Sequence, residues 1–216
     1  MKSALVTMFL LASILILASG QHLSSVSNPH KASFDWLFEG TQWLDEKDQI
    51  KSTKAFTPEE RKAIIEAISV QLRPGRKLGS PASEKKLLND VENTNVKLVD
   101  LNGDGIPEVI AQGSGQEYCS PTGNCDFWVF MRSGNGYNLI LEREAVQTFA
   151  ISSKRTNGFN NLVLGQHGSA FKRDLFVYRF AEGKYRLGPC YTANWERLAG
   201  DEWQQVKNPI ITPCHQ

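Results

Sequence analysis

Asp126-Phe-Trp-Val-Phe130, followed by a glycine turn and Tyr137-Asn-Leu139, is echoed by Asp174-Leu-Phe-Val-Tyr178, a glycine turn and Tyr185-Arg-Leu187. Each stretch gathers β-branched and aromatic residues and then breaks at turn formers, which is how a β-hairpin reads. Upstream, Gly105-Ile-Pro-Glu-Val-Ile110 parallels Gly158-Phe-Asn-Asn-Leu-Val163. A self-similarity of about 50 residues predicts two related four-strand units packed together. Two copies are too few for a propeller, which needs at least about four blades. The first copy has the longer middle loop, and Cys119 and Cys125 sit in that excess.

Further short apolar runs complete the units: Val96–Val99, Val109–Ala111, Val146–Ser152 and Leu162–Leu164. Short strands at this spacing, separated by Gly and Asn, predict an antiparallel meander. Ahead of them, Thr57-Pro-Glu-Glu60 opens a helix with a capping threonine, a proline at the first helical position and acids at the positive dipole end. Ile64, Ile65, Ile68 and Leu72 recur at helical spacing until Pro74-Gly75. A second helix is predicted over 83–93, with Leu87, Leu88 and Val91 facing inward. The fold class is therefore α+β, mostly β, with one or two N-terminal helices. Phe34, Trp36 and Phe38 alternate as one face of a short extended stretch would, in a run too brief to decide; the segment reads either as partly disordered or as draped over the core with those rings as anchors.

Four regions follow. Residues 1–20 read as a signal peptide: Lys2, an apolar run from Ala4 to Leu17, and small residues Ala18-Ser-Gly20 before the cleavage point. The run is short of the roughly 18–20 apolar residues that span a bilayer, and no other stretch approaches that length. Residues 21–56 form an irregular segment, 57–95 a helical element and 96–216 the β domain. The expected location is secreted or periplasmic. Basic residues number 24 and acidic residues 23, and Lys2 leaves with the leader, so the mature chain is near neutral. Such a balance gives no broad attraction for nucleic acid or anionic membrane.

Cys119, Cys125, Cys190 and Cys214 are an even set in an exported chain, which reads as disulfides with three possible pairings. Cys119–Cys125 and Cys190–Cys214 are preferred because each pair brackets a turn-rich segment. Zinc held by four thiolates would call for paired short C-x₂-C spacings, which are missing.

Asp100-Leu-Asn102-Gly-Asp104-Gly-Ile106-Pro-Glu108 sets oxygen donors at alternate positions between two strands. Asp100, Asn102 and Asp104 offer side-chain oxygens, Ile106 a carbonyl and Glu108 a closing carboxylate, a donor set for a hard cation such as Ca²⁺. The nonapeptide resembles the calcium loops of FG-GAP/VCBS-type repeats, with Glu108 where that loop usually has aspartate. The resemblance implies one structural Ca²⁺ locking the connection between two strands. An EF-hand is disfavoured, because Ala111 stands at the twelfth position and the flanks read as strands. In the second copy Ser153, Arg155, Asn157 and Asn161 occupy the equivalent positions, so one site is expected and not two.

Other candidates are sparser. His167 and Ser169 lie two apart on an extended segment, a spacing that does not by itself make a nucleophile–base pair. Ser133-Gly134-Asn-Gly-Tyr137 matches the S-G-x-x-Y motif of periplasmic lysozyme inhibitors, whose serine and tyrosine meet the lysozyme cleft. Trp195 and Trp203, in the bracketed tail, are candidates for an exposed aromatic surface, with covering the open end of the sheet the favoured role. No enzyme chemistry is legible, and no catalytic residue is assigned. The expectation is an exported non-enzymatic binding or structural module acting on a protein or glycan at the envelope. The alternative is an inhibitor of an extracellular hydrolase through Ser133–Tyr137.

Overall fold

The computed structural model describes residues 34–42, 44, 48–74, 76–199 and 202–214. The expected leader with its cleavage after Gly20, together with His22, His30, Trp43, His215 and the Trp203 side chain, lies outside what is described.

Helix α1 spans Pro58–Leu72 and helix α2 Pro81–Glu92. The Thr57 hydroxyl accepts from the Glu60 N–H at 3.2 Å, and the Glu60 carboxylate accepts from the Thr57 N–H at 2.9 Å. This reciprocal box satisfies donors that the helix start would otherwise orphan. Ser80 and Ser83 make the same exchange at α2. That cap, with Pro81 in the first turn, starts α2 two residues before the apolar periodicity suggests.

Among the described residues nine strands follow: β1 (Asn95–Val99), β2 (Glu108–Gln112), β3 (Cys125–Ser133), β4 (Gly136–Val146), β5 (Thr148–Thr156), β6 (Phe159–Ser169), β7 (Lys172–Ala181), β8 (Lys184–Ala199) and β9 (Glu202–Pro213). They form two antiparallel meanders, β1-β2-β3-β4 and β5-β6-β7-β8-β9. The first unit has the four strands expected from the repeat. The second has five, because the tail doubles back as β9 on the long strand β8. The expected run 146–152 divides at Gln147, ending β4 and beginning β5.

Side-chain parity builds three layers of core. Ile110, Phe127, Val129 and Ile140 of the first sheet meet Phe149, Leu162, Leu164 and Phe180 of the second. The alternate residues Val109, Ala111, Trp128 and Phe130 face the other way, against Ile64, Ile68, Leu87 and Val91 of the helices. Such alternation is what a sheet covered on both faces requires. The outer face of the second sheet, Val163, Leu175 and Val177, is covered by Leu37 with Phe34, Trp36 and Phe38.

That covering segment is not extended. Asp35–Leu37 forms a 3₁₀ turn, closed by the Leu37 N–H on the Phe34 carbonyl at 3.0 Å. The turn sinks Leu37 while Phe34 and Trp36 meet Tyr191 edge-on and Phe38 meets Trp195. Farther on, Gln42 bridges Phe149 of β5 and Gln49 bridges Asn95 of β1, so the N-terminal segment ties both sheet edges.

Cys119–Cys125 and Cys190–Cys214 are bonded, and no free cysteine remains among the described residues. No helix among the described residues is long and apolar enough to cross a membrane.

Candidate metal centre

The acidic loop joins β1 to β2, and strand parity divides its side chains. Val99 pairs with Glu108 at the top of the ladder. Glu108 shares its parity with Ile110, so it points between the sheets and is 2 % exposed. Asp100 and Asp104 are exposed on the loop, and Asn102 is half-buried.

Each donor holds part of the loop backbone. Asp100 accepts from the Gly103 N–H at 2.6 Å and the Gly105 N–H at 3.0 Å. Asn102 Oδ1 accepts from the Asp104 N–H at 2.8 Å, and Asp104 Oδ1 from the Ile106 N–H at 2.7 Å. Glu108 Oε2 accepts from the Leu101 N–H at 2.8 Å. Gly103 and Gly105 adopt φ of +81° and +82°, a region that side chains with a Cβ rarely enter. The Ile106 side chain is exposed.

The carboxylates are driven apart electrostatically. Backbone N–H groups, that of Gly105 foremost, hold Asp100 below the usual carboxylate range. Burial pushes Glu108 up, and the neighbouring charges of Asp104 and Asp100 add to that rise. No basic side chain lies within ion-pair distance of Glu108 among the described residues. Asn102 Nδ2 donates to Asp104 Oδ2 at 2.8 Å and to Glu108 Oε1 at 3.5 Å. An amide thus meets two of the carboxylates the sequence assigns to a cation. In this conformation no three His, Cys, Asp or Glu side chains among the described residues converge closely enough to hold a metal ion. The chemistry of the donors nevertheless suits a hard cation: three carboxylates, an amide oxygen and a carbonyl. Each carboxylate keeps lone pairs beyond those its N–H partners use.

The second unit has no such loop. Residues 153–156 are absorbed into β5, Arg155 pairs with Asn160, and the connection shrinks to Asn157-Gly158, both at positive φ. That is the backbone of a two-residue hairpin turn. Arg155 instead reaches the first loop, donating from Nη1 to the Asn102 carbonyl at 3.2 Å beside Gly103. The Asn160 N–H donates to the Leu101 carbonyl at 2.7 Å. Both contacts escaped sequence reasoning, although an arginine in place of a ligand signals a changed role.

The remaining candidates separate. His167 and Ser169 share no hydrogen bond. The His167 backbone and Asn124 side chain bond each other at 2.7 and 2.9 Å, His167 Nδ1 lies 3.2 Å from the Thr122 carbonyl, and Ser169 Oγ accepts from the Phe171 N–H. His167 therefore serves to dock the disulfide loop onto β6. Ser133 and Gly134 are exposed at the β3–β4 turn. Tyr137 is half-buried against α1, beside a cleft of about 360 Å³, and Arg132 pairs with Glu60 at 2.7 Å.

No family model, curated protein or solved structure matches the chain.

Proposed function

We propose that this chain is an exported, non-enzymatic binding or structural module in which one structural Ca²⁺ locks the connection between β1 and β2. The donors are Asp100, Asn102, Asp104, the Ile106 carbonyl and Glu108. One observation carries the reading: Glu108 is a carboxylate buried between two sheets, beside two further carboxylates, without a basic partner among the described residues. Such a group is costly to ionise unless a positive charge sits with it. A bound divalent cation would supply that charge and tie together donors from both sides of the turn. Export is supported by the leader pattern and by the two disulfides.

The experiment is thermal unfolding of the mature chain with chelator and with saturating Ca²⁺, beside Asp104→Ala. The wild type is expected to gain several degrees with the metal and the variant none. A wild type indifferent to Ca²⁺ refutes the metal role.

A second reading rests on Ser133 and Gly134 standing exposed at the tip of the β3–β4 hairpin. As an inhibitor of an extracellular hydrolase, the chain would slow lysozyme at stoichiometric concentration, and Ser133→Ala with Tyr137→Ala would relieve the effect. Unchanged lysis at excess protein removes this reading.

A further inference from the structure

At the end of the β1–β2 pair opposite the acidic loop, three carboxamides stand in a row. Gln49 bridges Asn95, and Asn95 is paired with Gln112 in the β1–β2 register. Residues directly opposite one another across antiparallel strands project to the same face. Here it is the face that sends Ile110 and Phe127 into the core between the sheets. Past that core the face opens into a cleft of about 560 Å³, lined by all three carboxamides, Leu44 and the Cys119–Cys125 disulfide.

Two of the three are buried and Asn95 between them is half-buried. Gln49 is 8 % exposed and Gln112 6 %. Gln112 Nε2 donates to the Val146 carbonyl at 2.7 Å. Gln49 bonds there only through its backbone, and Asn95 Oδ1 is buried with no partner. Buried polar atoms are normally satisfied, so the unpartnered Asn95 Oδ1, standing between the amides of Gln49 and Gln112, marks a place for a polar guest.

The chemistry of the lining selects the guest. The one ionisable residue among the described lining, Asp90, is already paired with Arg76 at 2.8 Å and Lys86 at 3.2 Å, so a charged ligand finds no free counter-charge. An extended peptide added as a strand needs an open sheet edge. At this level Asn95 is flanked by Gln49 on one side and Gln112 on the other. Carboxamides, each with donors and an acceptor, match hydroxyl groups, which also donate and accept. The cleft volume falls within the range that encloses a small organic ligand.

We infer that this cleft binds a short neutral saccharide. Its hydroxyls bond Gln49, Asn95 and Gln112, and its C–H face lies on Leu44 and the disulfide. The inference gives the binding-module reading its ligand class and rests on that reading, but it makes no use of the acidic loop.

The test is an array of neutral oligosaccharides and, separately, of unstructured peptides, probed with the mature chain, followed by calorimetry on each hit. Gln49→Ala removes a side chain with no partner among the described residues, so its melting temperature is expected to stay unchanged. It is expected to weaken saccharide binding by about tenfold, the worth of one or two hydrogen bonds. Asn95→Ala is expected to do the same, and Asp104→Ala to leave binding intact in calcium-free buffer. Wild-type protein that binds no neutral saccharide overturns the inference, as does binding indifferent to both amide variants. Binding of peptides alone overturns the ligand class and leaves the module reading standing. Silence on both arrays overturns the inference, while the module reading stands or falls on the calcium-dependent unfolding described above.

Discussion

Arg155 Nη1 donates to the Asn102 carbonyl at 3.2 Å, so the second unit touches the first at the position whose counterpart its own loop has lost. The guanidinium brings positive charge to a loop with three carboxylates, and part of their repulsion is thereby offset without a metal. Arg155→Ala should lower the melting temperature of chelator-treated protein by a few degrees, equivalent to about 0.5–1 kcal/mol. With that charge gone, calcium affinity should rise a few-fold at low salt and less at high salt. Calorimetric titration at two ionic strengths checks both effects.

Glu108 carries the sign of the pH dependence. Its folded pKa is raised, so metal-free protein gains stability from protonated Glu108 at low pH and loses it as pH climbs through the folded pKa. Glu108→Gln keeps the shape and removes the charge. In chelator at neutral pH the variant should melt higher than wild type, and calcium should no longer move it. A variant that melts lower in chelator would show that the carboxylate is compensated by something else.

Asp126 is a second raised carboxyl, pushed up to about 6 by burial and then by the charges of Glu144 and Glu142. The same sign holds: its contribution is complete below the unfolded value and disappears as pH rises through about 6. Asp126→Asn should therefore be neutral at pH 4 and stabilising at pH 8 by about 1 kcal/mol, a figure discounted for partial exposure. Urea unfolding at both pH values measures the difference.

The disulfides differ in reach. Cys190–Cys214 closes a 24-residue separation and fastens β9 to β8, whereas Cys119–Cys125 closes only 6. Chain-entropy arguments assign about 3.5 kcal/mol to the longer closure and about 2 to the shorter. Replacing both cysteines of each pair by serine should shift the denaturant midpoint in that order.

The two hairpins and the acidic loop were legible because their signals are local: alternating apolar residues, glycine turns and oxygen donors at fixed spacing. The capping boxes at Thr57 and Ser80 are equally local, though only the first stood out beside its apolar periodicity. The fifth strand was not legible. Residues 202–213 lack an apolar alternation strong enough to announce β9, and the long strand β8 supplies the ladder that makes it. The Phe34–Phe38 rings read as alternation in a strand, but Leu37 between them is the buried residue, which a 3₁₀ turn accomplishes. At the candidate site, the burial of Glu108 follows from its parity with Ile110, and only the packing of the second sheet over that face of β2 puts both residues in the interior. The carboxamide row was invisible for a related reason. Gln49, Asn95 and Gln112 come from three separate segments, and only pairing across strands sets them side by side.

The buried Glu108 carboxylate and its neighbours Asp100 and Asp104 are proposed to hold a divalent cation. Isothermal calorimetry on chelator-stripped wild-type protein tests it most directly. One site should titrate with Ca²⁺, with an affinity in the millimolar to sub-millimolar range usual for extracellular modules, and it should vanish in Glu108→Gln. A titration without heat at saturating Ca²⁺, in protein whose disulfides and fold are intact, would contradict the account.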